Sequence, residues 1–218
     1  MPGGLSLSLF VLAIIIFLGW FAVGTQLNVR KGERVLCWLQ DGLGLVGEKT
    51  TLRWLGSSAV ELKVQKVRKP FRQVEIFIVL EPRDVPFIWW YFRARGRRDL
   101  FIVRAHVAAP PPFEVEAFDK RAWSTRAVAE EVRRKSWSWT AVPGQPDSHI
   151  AAYSQGPKGP ESAADLMNLA SLPGSSLVRL AVHAADPNLE LQWRLLDLGT
   201  VSAKQVFENL IEMANRIK

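Results

Sequence analysis

Apolar residues dominate one long stretch of this chain, residues 5–23 (LSLSLFVLAIIIFLGWFAV), and no charged residue occurs before Arg30. At ~1.5 Å per residue such a run reaches roughly 28 Å as a helix, close to the ~30 Å hydrocarbon core of a bilayer. A helix apolar on every face for this length predicts a membrane span rather than a core element. Trp20, near its end, suits an interface position. A cleaved signal peptide is the competing reading, since Ala22 and Gly24 resemble a cleavage site. Against it, the apolar run is long and MPGG at the start carries no basic side chain.

Beyond the span the pattern becomes periodic. Residues 33–40 (ERVLCWLQ) read as a strand, and 41–47 as a glycine-rich turn. Ala59–Val67 alternates, with Val60, Leu62 and Val64 on one face and Glu61, Lys63 and Gln65 on the other. Residues 74–80 (VEIFIVL) are apolar and β-branched enough for a central strand. Residues 85–98 predict a short helix capped by Asp84, with Pro86 in its first turn. Leu100–Val107 returns to strand character.

In the second half, strands are expected at 113–118, 136–142 and 149–155, with a turn at 143–147. Helices are expected at 123–134 and 161–171. Residues 177–183 and 189–195 form a hairpin around a turn containing Asp186, Pro187 and Asn188. Leu189, Leu191, Trp193 and Leu195 should face inward, and Glu190, Gln192 and Arg194 outward. A last amphipathic helix begins at Ser202, with Gln205 at capping-box spacing and a stripe of Val206, Leu210, Met213 and Ile217.

These elements define an α+β protein: an N-terminal transmembrane helix, a β-rich half, and an α+β half closed by the C-terminal amphipathic helix. The order strand, helix, strand, strand, helix, strand over residues 113–184 is the ferredoxin-like split arrangement. A pleckstrin-like β-sandwich closed by the terminal helix is the alternative. The proline-rich stretch at 109–112 suggests a boundary, giving an anchor at 1–29, a membrane-proximal domain at 30–108 and a second domain at 113–218.

Composition sharpens this picture. Hydrophobic residues make up 48% of the chain, which excludes a disordered polar protein. The formal net charge is +7, and the first basic residues, Arg30, Lys31 and Arg34, directly follow the span. The positive-inside rule then expects the N-terminus outside and the remainder in the cytoplasm. For a tethered domain, anionic headgroups are the nearest partner for that charge. A protein partner or self-association are further options, and nucleic acid is disfavoured because no recognisable module accompanies the arginines.

Candidate chemistry is sparse. Gly42, Gly44 and Gly47 fit G-x-G-x-x-G, and with Lys49 and Thr50 they resemble a degenerate phosphate loop into which Glu48 intrudes. A hairpin turn explains the same glycines. The kinase-like echoes at Lys63 and Arg98–Leu100 lack the metal-binding asparagine and an Asp-Phe-Gly. His106, His149 and His183 are scattered, so no metal site is expected. Cys37 reads as core, and no cofactor is expected. The most suggestive segment is the abrupt change from aromatic to basic residues: Trp89, Trp90 and Tyr91, then Arg93, Arg95, Arg97 and Arg98. Such a segment suits the headgroup layer, the aromatic rings at its level and the guanidinium groups on phosphates. A core helix with a solvated basic end is the alternative. The function expected is therefore a non-enzymatic, membrane-tethered binding or scaffold module contacting anionic lipid or an acidic partner. A membrane-bound nucleotide-dependent enzyme using residues 42–50 is the second reading.

Overall fold

The opening apolar run does not stop at residue 23. In the computed structural model, which describes residues 3–134 and 149–218, it continues as one 41-residue helix, α1 (Gly3–Leu43). The strand expected at 33–40 is thus the last part of a helix. Two causes favour this outcome. Extending an existing helix avoids the cost of nucleation. Val35, Leu39 and Leu43, at i, i+4 and i+8, form a buried stripe. Cys37, expected in the core, is exposed on this helix.

A tight turn follows, closed by the Leu45 amide on the Gly42 carbonyl and the Val46 amide on Leu43. The chain then forms an antiparallel meander of β1 (Gly47–Trp54), β2 (Ala59–Val67), β3 (Phe71–Val79) and β4 (Leu100–Val107). β1 was not foreseen. Its mostly exposed, polar residues give no alternation to read. Helix α2 (Pro86–Ala94) bridges β3 and β4. The second half contains β5 (Glu114–Asp119), a 3-10 turn (Trp123–Thr125), α3 (Arg126–Arg134), β6 (Ile150–Gln155), α4 (Gly159–Ala170), β7 (Leu177–Val182), β8 (Leu189–Arg194) and α5 (Ala203–Arg216). The strand and turn expected at 136–147 lie outside the described residues.

Among the described residues, eight strands form one antiparallel sheet in the order β1-β2-β3-β4-β8-β7-β5-β6. The β4–β8 pairing carries this sheet across the boundary expected at 109–112. The register aligns apolar residues into lanes: Val60, Ile78, Phe101 and Trp193 face one another in turn, and so do Leu62, Ile76, Val103 and Leu191. β5 lies between β6 and β7, antiparallel to both.

The C-terminal part of α1, with α4 and α5, covers the apolar face in one core cluster. Trp38 of α1 donates its indole N–H to the Val201 carbonyl at 2.8 Å and sits edge-on to Phe101. Ser202 caps α5 by accepting the Gln205 amide at 3.1 Å, and the expected stripe on α5 is buried. On the opposite face α3 covers only Phe118, Ala151 and their neighbours.

Glu190 and Gln192, expected to face solvent, do lie on this second face but are buried there. They belong to a cross-strand charge ladder. Lys63 meets Glu75 at 3.1 Å, Arg104 meets Glu190 at 2.6 Å, and Arg179 bridges Glu190 and Glu116. Opposite charges on neighbouring strands satisfy one another along this face.

Candidate membrane interface

Helix α2 has a composition that should bury, yet none of its residues is buried. Phe87 is 78% exposed and Trp90 73%, and Ile88 and Tyr91 are also open. Val85 occupies the N-cap without a side-chain hydrogen bond. The cap expected from Asp84 is absent because its carboxylate accepts the Ser57 hydroxyl instead, at 2.5 Å. The inner side of α2 rests on α1 through Trp89, whose ring lies 6.2 Å from that of Trp20. Trp20 also donates its indole N–H to the Arg83 carbonyl at 2.9 Å. The aromatic helix therefore stands beside α1 at the end of its apolar run.

A compact polar cluster holds this arrangement. Arg83 clasps both oxygens of Asp99 at 3.0 and 2.8 Å, and Lys31 reaches Asp99 at 2.6 Å. The Glu81 amide donates to the same carboxylate at 2.7 Å. Asn28 donates to the Glu81 carbonyl and accepts from Arg83, both at 3.0 Å. The Glu81 side chain, only 2% exposed, accepts from the Trp89 indole at 2.6 Å and from Arg93 at 3.1 Å. Burial pushes the Asp99 carboxyl up, but hydrogen bonds from Arg83, Lys31 and the Glu81 amide outweigh it and hold the group below its usual value. One close approach completes the joint: a Cβ on Gly24 would lie 2.2 Å from the Arg83 carbonyl oxygen, so only glycine lets α1 lie against this loop.

The four arginines of this segment have different situations. Arg93 is bound to Glu81 and sits over the Trp89 ring. Arg95 lies over Tyr91, with 4.4 Å from guanidinium carbon to ring centroid. Arg97 lies over Phe92 and Trp123, at 5.1 and 6.0 Å. Arg98 donates to the Arg93 and Arg97 carbonyls, which closes the turn after α2. Among the described residues, Arg95, Arg97 and Arg98 are thus positioned by ring faces and carbonyls rather than by carboxylates.

The glycine segment falls elsewhere. Its context is helix, turn, strand, whereas a phosphate loop needs strand, loop, helix. Gly42 is the penultimate residue of α1, and a Cβ there would lie 2.6 Å from the Phe207 ring. Gly44 is in the turn, and Gly47 opens β1 against Val64. Lys49 and Thr50 are exposed on β1. Packing of α5 accounts for Gly42, and the turn consumes the amides a phosphate would need. Among the described residues no group of three or more His, Cys, Asp or Glu side chains could hold a metal.

Asn28, Glu81, Arg83, Asp99 and Trp123 were not singled out from the sequence as site residues. Their signal was weak: isolated residues up to 95 positions apart, which only the fold brings to the surroundings of α2. No family model matches this chain, and no curated protein matches it. The apolar N-terminal helix is of a kind found in membrane anchors and in signal sequences.

Proposed function

We propose that this is a single-pass, membrane-tethered binding module whose helix α2 lies in the same lipid headgroup layer as the end of its anchor. The observation that carries the reading is the open aromatic face of α2 fixed beside Trp20. An exposed Phe-Ile-Trp-Tyr surface is costly in water, at roughly 25 cal/mol per Å² of apolar area. It is at home where a bilayer meets water. Arg95 and its neighbours would then face lipid phosphates. The continuity of α1 supports an anchor over a leader peptide. Cleavage near Gly24 would cut the helix midway and remove Trp20 from Trp89. Arg30 and Arg34, exposed just past the span, support a cytoplasmic location for the folded part.

The test is tryptophan quenching in proteoliposomes of the full chain, comparing it with Trp90→Phe. Phospholipids brominated high on their chains should quench the emission that Trp90 contributes. If aqueous iodide quenches that contribution and bromolipid does not, the reading fails.

A further inference from the structure

Behind the turn that ends α2 lies a cavity of about 300 Å³, lined by Arg97, Arg98 and Arg194 around an apolar floor that includes Leu100 and Val178. Trp123 forms one wall. Its volume is at the small end of ligand pockets, which run from about 300 to 1,000 Å³. Three arginines line the cavity, Arg98 with its guanidinium on the Arg93 and Arg97 carbonyls, and the only carboxylate within ion-pair reach of any of them among the described residues is Asp119, 3.9 Å from Arg194. Elsewhere in the molecule the arginines nearest buried positions are matched closely: Arg83 with Asp99, Arg104 and Arg179 with Glu190. The contrast leaves an excess of positive charge at one concave place. Arg97 is held there by the rings of Phe92 and Trp123, which orient its plane and leave its N–H edge available.

We propose that this cavity binds the phosphate of an anionic membrane lipid, with the guanidinium groups on the phosphate oxygens and the glycerol end against Leu100, Val178 and Trp123. Guanidinium and phosphate form paired, charge-assisted hydrogen bonds. The apolar floor favours a phosphodiester carrying an alkyl portion over inorganic phosphate, which would bring extra charge and nothing to bury. This deepens the proposal for α2 and rests on it, because the cavity shares the Arg97–Arg98 turn with that helix and can meet a headgroup only if α2 lies at the lipid surface.

The experiment uses the full chain in nanodiscs of phosphatidylcholine mixed with phosphatidylglycerol, released gently and examined by native mass spectrometry for retained lipid. The wild-type chain should keep phosphatidylglycerol in preference to phosphatidylcholine by at least about tenfold, the factor that ~1.4 kcal/mol supplies. Arg97→Gln combined with Arg194→Gln should abolish the preference. Should that pair fail to fold, Arg194→Gln alone carries the test, since among the described residues its side chain makes only the ion pair with Asp119 at 3.9 Å. Lys66→Gln with Lys204→Gln removes the same charge from remote exposed positions and should leave the preference intact. The proposal is overturned if the arginine variants keep the preference, or if the lysine variants lose it equally. It is also overturned if inorganic phosphate displaces the lipid as well as phosphatidylglycerol does. Bromolipid quenching of Trp90 without any headgroup preference would sink this inference and leave the placement of α2 standing. Loss of the quenching would remove both.

Discussion

Three elements depend on Asp99. It joins α1 through Lys31, the β3–α2 loop through Arg83 and the Glu81 amide, and β8's end through its own carbonyl, which accepts the Leu195 amide. Replacing it with Asn keeps the shape and removes the charge, leaving the charge of Arg83, in a mostly enclosed place, with only the longer 3.7 Å approach to Glu81 among the described residues. A loss of about 2–3 kcal/mol is expected, below the 3–5 typical of a fully buried pair because Lys31 remains partly in water. Denaturant titration of the detergent-solubilised chain measures it. The pH dependence has a definite sign. A carboxyl held below its ordinary value stabilises the fold fully above the unfolded value of about 3.9 and loses that contribution as pH falls through its folded value. Glu190 is shifted in the same direction: burial raises it, and Arg179 and Arg104 more than compensate. Melting temperature should therefore drop steeply below about pH 4, and Asp99→Asn should show a shallower acid limb. Gly24→Val tests the joint from the other side: overpacking against the Arg83 carbonyl should cost about 1–3 kcal/mol and quench the Trp20–Trp89 contact, visible as a shift in tryptophan emission. At this scale the sequence was legible for the aromatic and basic residues of 89–98, whose composition is unusual. It was silent on Asp99 and Asn28, because a single polar residue shows its role only through partners far along the chain.

Elements with strong periodicity read clearly from sequence. Ala59–Val67 and Leu100–Val107 were placed with the bounds the structure gives, and Val60, Leu62 and Val64 take the buried face expected of them. Residues 33–40 did not read clearly. Their valine, leucine and tryptophan suit a strand by composition, and the decisive spacing of Val35, Leu39 and Leu43 is visible only when the stretch is joined to the helix before it. Leu39 is fully buried at that seam, so Leu39→Ala should cost about 2–5 kcal/mol in equilibrium unfolding. An insertion separates the two duties of α1. One alanine added after Leu27 turns everything before it by about 100°, carrying Trp20 and Gly24 away from Arg83 while Val35 and Leu39 stay seated. The sheet should unfold at nearly the wild-type denaturant concentration, whereas the arginines after α2 should become open to trypsin. If the arginines stay protected, the α1–α2 contact does not position that helix.

Over the whole molecule, length allows one large domain or two small ones and the proline-rich stretch at 109–112 marks a candidate boundary; a single sheet runs through both halves. The reason is topological: β8 returns from the far half to pair with β4, and a long-range pairing of this kind leaves no local signature. The charge ladder on the second face was equally hidden, since Glu190 and Arg179 look like ordinary solvent-facing residues until Glu116 and Arg104 are set beside them. The same architecture bears on motion. Because α1 passes without a hinge from its apolar start to the Gly42 turn, it is a stiff rod of roughly 60 Å. Under the proposed anchoring, a bilayer that thins or thickens changes the tilt of that rod. A lean of some 10° would carry its far end sideways by about 10 Å, swinging the sheet with it and pressing α2 into the headgroups or lifting it clear. The folded part would then work as the pointer of a thickness gauge, with the Arg83–Asp99 clasp as the rivet that keeps pointer and rod from slipping.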